Sequence, residues 1–193
     1  MIGKIQRRQL YKSSLRKSIL DSALQIIEKE GYSAVTIRKI AHAIEYSVPT
    51  IYEYFKNKES LLTELKKEWL GKMLELIQGI HADEKEPVAA LEKIALAYTK
   101  YSLENPAHYK AVMSRETPEG DFVEIHTLRS ILKDWIHGVT KSDRGLDDKV
   151  DMLRSYLHGV VALFLLKKMR GGEDRCIKLI KEGVDALTKS WKS

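Results

Sequence analysis

Apolar residues recur along this chain at every third or fourth position and almost nowhere alternate, so the pattern predicts helices from end to end and no strand. The first helix is expected over residues 14–30, with Ile19, Ala23, Ile26 and Ile27 on one side and Gly31 stopping it. Thr36 then caps a short helix, IRKIAHAI, whose Ile37, Ile40, Ala41 and Ile44 share a face. After the break EYS, Ser47 caps a second short helix with Pro49 in its first turn, where a missing N–H costs nothing. Asn57 caps a long helix over residues 58–79, striped by Leu62, Leu65, Trp69, Met73, Leu76 and Ile80. HADEKEP, polar and ending in Pro87, is the best candidate boundary. Beyond it come helices over residues 88–103, a short piece after Asn105-Pro106, then 121–139, 147–169 and 173–191. Residues 150–166 are apolar nearly all round and are expected to be buried on more than one side. The last helix carries the stripe Ile177, Ile180, Val184, Leu187, Trp191. The expected fold is all-α, with about nine helices.

Composition narrows the class. The chain has 193 residues, 44% of them hydrophobic, and a mean hydropathy of −0.32, enough for a real core in a water-soluble protein. No apolar run approaches the roughly 20 residues of a membrane helix, and the start shows no secretory signal. Cys176 is alone, so no intrachain disulfide can form, which suits a reducing cytoplasm. Net charge is +6, and its placement matters more than its size. Residues 1–60 hold eleven Lys/Arg against six acids, leaving only +1 for the rest of the chain. That asymmetry points to a polyanionic partner. The six histidines show no metal-ligand spacing, and there is no phosphate-binding glycine loop. Catalytic residues, metal sites and cofactors are therefore not expected. His158, on an apolar helix, reads as a core or interface histidine.

Two short helices joined by a tight turn and supported by a third make a helix-turn-helix, whose second helix enters the major groove of double-stranded DNA. In SVPTIYEYFKNKESL, residues 47–61, Ser47, Val48, Pro49 and Thr50 are small enough to approach base edges, and Tyr52 and Tyr54 extend hydroxyls. Ile51 and Phe55 take the inward face. Lys56 lies close by, and Lys58 opens the next helix, whose N-terminal N–H groups already favour a phosphate.

At these residues the chain resembles the TetR family of transcriptional repressors. The stretch TIRKIAHAIEYSVPTIYEYFKNKESL, residues 36–61, follows the family's T-(V/I)-R-x-I-A, turn, S-x-(G/P)-T-(L/I)-Y-x-(H/Y)-F-x-x-K-(E/D)-x-L. The resemblance implies phosphate contacts from Thr36, Tyr52 and Lys58, and base contacts near Arg38, Val48, Pro49 and Thr50. Where the family usually has A-G-V in the turn, this chain has Ile44-Glu45-Tyr46, which places Glu45 where glycine suits a left-handed backbone at lower cost. Further on, ENPAHYKAVM and YLHGVVALFL resemble a subgroup with a W-H-G motif, although Tyr156-Leu157 here precede His158-Gly159 without a Trp.

The implied organisation is a DNA-binding domain at residues 1–60 and a regulatory and dimerisation domain at 61–193, linked by the helix from Lys58. The family pairs its last two helices into a dimeric four-helix bundle. Here that bundle would use Val161, Phe164, Ile177, Ile180, Val184 and Leu187, and the homodimer would read a palindromic operator. A small, largely apolar effector is expected among Tyr98, Tyr101, Tyr109, Met113, Phe122 and Trp135, with Tyr156 and His158 reaching the same space. The function expected is a cytoplasmic, ligand-released repressor. The alternatives are a ligand-independent DNA-binding regulator or a helical protein-interaction adaptor.

Overall fold

In a computed structural model, residues 3–114 and 120–192 are described. They hold nine α-helices and no strand: α1 Lys4–Glu30, α2 Ile37–Ala43, α3 Val48–Tyr52, α4 Lys58–Asp83, α5 Pro87–Glu104, α6 Pro106–Val112, α7 Val123–Thr140, α8 Leu146–Leu165 and α9 Glu173–Trp191, with a 3-10 turn at Tyr32–Ala34. Pro118, which falls before the helix expected from residue 121, lies outside the described residues. The helices form two compact units. The first contains α1–α3, α4 as far as Trp69, and α6; the second contains the rest of α4, α5 and α7–α9.

The first unit is organised by one face of α1. Leu15, Ile19, Ala23, Ile26 and Ile27 pack with Ile37, Ile40, Ile51, Phe55, Leu61, Leu62 and Leu65, and Ala111 of α6 completes the cluster. Ile19, Ile40, Ile51 and Leu65 are wholly enclosed, and each stabilises by roughly 1.5–3 kcal/mol. The caps are local and as expected. Thr36 Oγ1 accepts from the Lys39 N–H at 3.2 Å, and Ser47 Oγ from the Thr50 N–H at 3.3 Å. Asn57 and Ser60 cap reciprocally, with the Ser60 N–H on Asn57 Oδ1 at 2.8 Å and the Asn57 N–H on Ser60 Oγ at 3.3 Å. α1 differs, because it begins at Lys4 rather than residue 14. Ser14 lies inside the helix, where its carbonyl accepts from Ser18 Oγ. The segment before it is rich in Lys, Arg, Gln and Leu, which propagate a helix already nucleated by its packed part.

In the second unit, α5 packs against α7, α8 and α9. Its Ala90, Leu91, Ile94, Ala95 and Tyr98 are buried, and buried Thr99 and Ser102 return their hydroxyls to carbonyls four residues back. The inward stripe of α4 here is Leu70, Met73 and Ile77, whereas Leu76 and Ile80, expected inside, are half-buried. α8 ends at Leu165, not residue 169, because Lys167 turns left-handed at φ 56° and the Lys168 N–H closes on the Leu163 carbonyl. Nor is α8 covered all round. Met152, Leu163 and Leu166 remain 50%, 46% and 60% exposed. With Gly159 they fall within an arc of roughly 60° at 100° per residue, a single uncovered apolar stripe.

Candidate nucleic-acid interface and effector region

The turn between α2 and α3 places Glu45 at φ 58°, the left-handed backbone expected from the family's glycine. α3 then presents two faces. Ile51 and Phe55 are closed into the core at 0% and 3% exposure, while Tyr52 stands 50% exposed. Thr36, Arg38, Ser47, Pro49 and Lys56 are also exposed; Val48, Thr50 and Lys58 are half-buried. Ser47 and Thr50 share a side-chain hydrogen bond of 2.8 Å, which holds both hydroxyls at the start of α3. Lys58 Nζ sits 4.8 Å from the centroid of the Tyr32 ring, so a cation–π contact steadies the ammonium at the start of α4. Tyr54, like Val48, is half-buried and packs against the core.

Sequence reasoning missed Arg16. Its guanidinium lies 4.6 Å over the Phe55 ring, donates to the Tyr54 carbonyl at 3.4 Å and pairs with Glu64 at 3.0 Å. One side chain of α1 therefore braces the C-terminal end of α3 and the first turns of α4. The signal that could have found it is a single Arg beside the inward stripe of α1, which resembles any solvated charge. Tyr11 and Tyr46, whose hydroxyls share a hydrogen bond of 3.1 Å, were likewise not singled out.

The expected effector residues divide between the units. Tyr109 and Met113 belong to the first, Tyr109 buried and Met113 40% exposed. In the second unit, Tyr98 Oη and His158 Nδ1 share a hydrogen bond of 2.5 Å, with the rings edge-to-face at 5.1 Å. Burial, reinforced by the charge of Arg154, pushes His158 down to about 4, so its imidazole is neutral near pH 7. Trp135 is buried edge-on to His81 at 5.1 Å, and its indole N–H meets no acceptor among the described residues. Phe122 is buried and Tyr101 half-buried. Tyr156 goes elsewhere: its hydroxyl donates to the Leu179 carbonyl at 2.5 Å, and its ring lies over Gly183 of α9.

The expected dimer residues also separate. Val161, Ile180 and Val184 are at most 1% exposed within the single chain, so they belong to the protomer's own core rather than to a surface. Phe164, Ile177 and Leu187 are half-buried. The side chains that α8 leaves outside are Met152, Leu163 and Leu166 instead. Among the described residues no cluster of His, Cys, Asp and Glu could hold a metal, and no helix is long and apolar enough to cross a membrane.

Residues 19–65 match the model for bacterial regulatory proteins of the tetR family, and residues 91–187 match a tetracyclin repressor-like C-terminal domain. The expected W-H-G kinship of the C-terminal half is not what this match supports. The chain is 34% identical over 121 residues to the fatty acid metabolism regulator protein of Bacillus subtilis, a match spanning 62% of this chain and 61% of that protein. It is 23% identical over 160 residues to the HTH-type transcriptional regulator YobS of the same organism, covering 82% and 83% of the two chains. In three dimensions it is similar to the transcriptional regulator FadR of Bacillus subtilis, solved in complex with stearoyl-CoA, with a TM-score of 0.73 at 19% identity over 89% of this chain and 97% of that one. With a helix-turn-helix matched at one end and half its length matched by a repressor-like C-terminal domain, the chain belongs to the TetR family of transcriptional regulators.

Proposed function

We propose that this chain is a homodimeric repressor that leaves a palindromic operator when it binds a largely apolar effector carrying a long acyl chain. The observation that carries the DNA half is the division of α3 and the turn after it: Ile51 and Phe55 are enclosed while Pro49 and Tyr52 face outward, beside Lys58 at the start of α4. Thr36, Arg38, Ser47, Val48, Thr50 and Lys56 extend the same surface, with phosphate contacts from Thr36, Tyr52 and Lys58 and base contacts from Arg38, Val48, Pro49 and Thr50. Residues 1–60 carry recognition and 61–193 regulation and pairing. The uncovered stripe Met152, Leu163 and Leu166 supports a second copy of the chain, because a two-fold axis through α8 buries the same side chains from both sides. The Tyr98–His158 hydrogen bond, set between α5 and α8 whose other buried residues are mostly aliphatic, supports an effector that is mostly hydrocarbon. The stearoyl-CoA complex of a relative supports an acyl thioester in that role. The protein acts where the DNA is, in the cytoplasm, as a regulator rather than an enzyme.

Release follows from differential affinity: α4 contributes to both units, and an effector that favours one setting of Leu70, Met73 and Ile77 biases the DNA-binding state. The test is selection of bound duplexes from a random pool, followed by titration in increasing salt with and without stearoyl-CoA. A palindrome, a steep fall of log affinity against log salt and release by the thioester are expected. Lys58→Ala and Tyr52→Phe should weaken all sequences alike, and Thr50→Ala should change base preference. Unchanged affinity in the Lys58→Ala, Tyr52→Phe double variant would remove this surface from the interface.

A further inference from the structure

The first turns of α1 project beyond the core they grow from. The earliest residue of α1 in the first unit's core is Leu15, and residues 6–14 are exposed throughout. Leu10 and Tyr11 are 57% and 56% exposed. This segment is also strongly basic, with no acid before Asp21. At 100° per residue, Arg7, Tyr11, Arg8 and Lys12 fall in that angular order within an arc of roughly 140°, so the three cations flank the tyrosine on one side of the helix. Helix phase, set by the packed part of α1, fixes which way this arc faces. Tyr11 Oη and Tyr46 Oη, hydrogen-bonded at 3.1 Å, tie it to the helix-turn-helix. Tyr46 lies in the turn between α2 and α3, directly after left-handed Glu45 and directly before the Ser47 cap. The basic arc is therefore tied to the same turn that delivers α3.

We infer that the first three turns of α1 are a second DNA-contacting element, in which Arg7, Arg8 and Lys12 neutralise phosphates flanking the base pairs read from α3 and the Tyr11–Tyr46 pair holds the arc against the turn that delivers α3. The inference rests on the DNA-binding reading above and extends it to residues outside the helix-turn-helix. Charge complementarity selects the occupant: three cations without an intervening acid suit a polyanion. Continuity selects which polyanion, since the adjoining turn and α3 already form the proposed DNA surface. Glu45 and Glu53, both exposed, are the acids closest in sequence to Tyr46 and α3, and neither pairs with a cation of the arc among the described ion pairs. Tyr11 and Tyr46 are positioning residues here.

The experiment compares two duplexes carrying the selected operator, one trimmed to its ends and one extended by several base pairs on each side. The full-length chain and its Arg7→Ala, Arg8→Ala, Lys12→Ala variant are titrated on both at several salt concentrations. These side chains lie outside the core, so helix content and melting should match the parent. On the extended duplex the variant is expected to bind at least tenfold more weakly at about 0.15 M salt, with a log–log salt slope shallower by roughly 2–3, at about 0.9 per phosphate. On the trimmed duplex the two proteins should be nearly equal. Tyr11→Phe and Tyr46→Phe should each weaken binding to the extended duplex several-fold with the slope preserved, and together no more than either alone. Equal affinity and slope for parent and triple variant on the extended duplex would overturn the inference while leaving the helix-turn-helix reading intact. A parent chain that binds no duplex would overturn both. Loss of binding to phosphatidylserine vesicles in the triple variant, with DNA affinity unchanged, would assign the arc to a lipid surface and also overturn it.

Discussion

Gly183 is the position where one added carbon should do most damage. A Cβ built there would lie 2.0 Å from Cζ, 2.2 Å from Oη and 2.3 Å from Cε1 of Tyr156, so in Gly183→Ala the ring must leave. It would leave behind its hydrogen bond to the Leu179 carbonyl, worth about 1 kcal/mol net. Forcing the neighbouring packing adds about 1–3 kcal/mol. Alanine in a helix interior returns roughly 1 kcal/mol over glycine. The net expectation is a loss of about 1–3 kcal/mol, or a melting temperature lower by roughly 3–10 °C for a chain of this size. The sign should reverse once the ring is removed: in a Tyr156→Ala background, Gly183→Ala should stabilise by up to about 1 kcal/mol. Urea unfolding of the four proteins closes a double-mutant cycle with a coupling of roughly 2–4 kcal/mol. If Gly183→Ala stabilises the parent chain, or if the two effects simply add, Tyr156 does not lie over α9 as described.

Three further outcomes are expected. His158 is held at about 4 against an ordinary 6.5, so the unfolded chain takes up the proton first. The stability of its neutral form is fully present above pH 6.5 and is lost as pH falls towards 4, by roughly 3 kcal/mol. His158→Gln should flatten the stability–pH curve in that window relative to the parent, and an unchanged curve would refute the burial. Comparison with the parent is needed because half-buried His108 is pushed in the same direction. Glu45→Gly should leave the melting temperature nearly unchanged, since relief of a left-handed side chain of about 1 kcal/mol is offset by added freedom of the unfolded chain of about 0.4–1 kcal/mol; a clear fall would mean that the carboxylate holds the turn. Leu163→Glu should give a folded monomer by sedimentation, whereas Val161→Glu should unfold the second unit; a dimer that survives Leu163→Glu together with Leu166→Glu would move the pairing surface off α8.

Much of the first unit was legible because its determinants are local. Thr36, Ser47 and Asn57 each satisfy N–H groups within three residues of themselves, and helix phase alone puts Ile51 and Phe55 inward and Tyr52 outward. The left-handed turn at Glu45 was expected from the glycine that the resembled family carries there, and the backbone adopts it at φ 58°. The ordered spacing of residues 36–61 was enough to identify the family before any packing was known.

What the sequence by itself determined was therefore where the capped helices α2, α3 and α4 begin, how the residues of each helix are phased and what kind of protein they make. What only the tertiary structure decided was which partner fills each face. Val161 and Leu163 are equally apolar and two residues apart, yet one is enclosed and the other 46% exposed, because packing against one side of α8 leaves the other bare. Tyr156 and His158 were expected in one space, but one hydroxyl reaches Leu179 and the other ring meets Tyr98, sixty residues away. α1 runs ten residues past its expected start, and what ties those residues to the rest of the first unit is a hydrogen bond from Tyr11 to Tyr46, thirty-five positions on. Periodicity records the phase of a helix, since neighbours at three and four residues are bound by backbone geometry. It carries no term for contacts between residues far apart in the chain, and those contacts choose among faces that look alike in sequence.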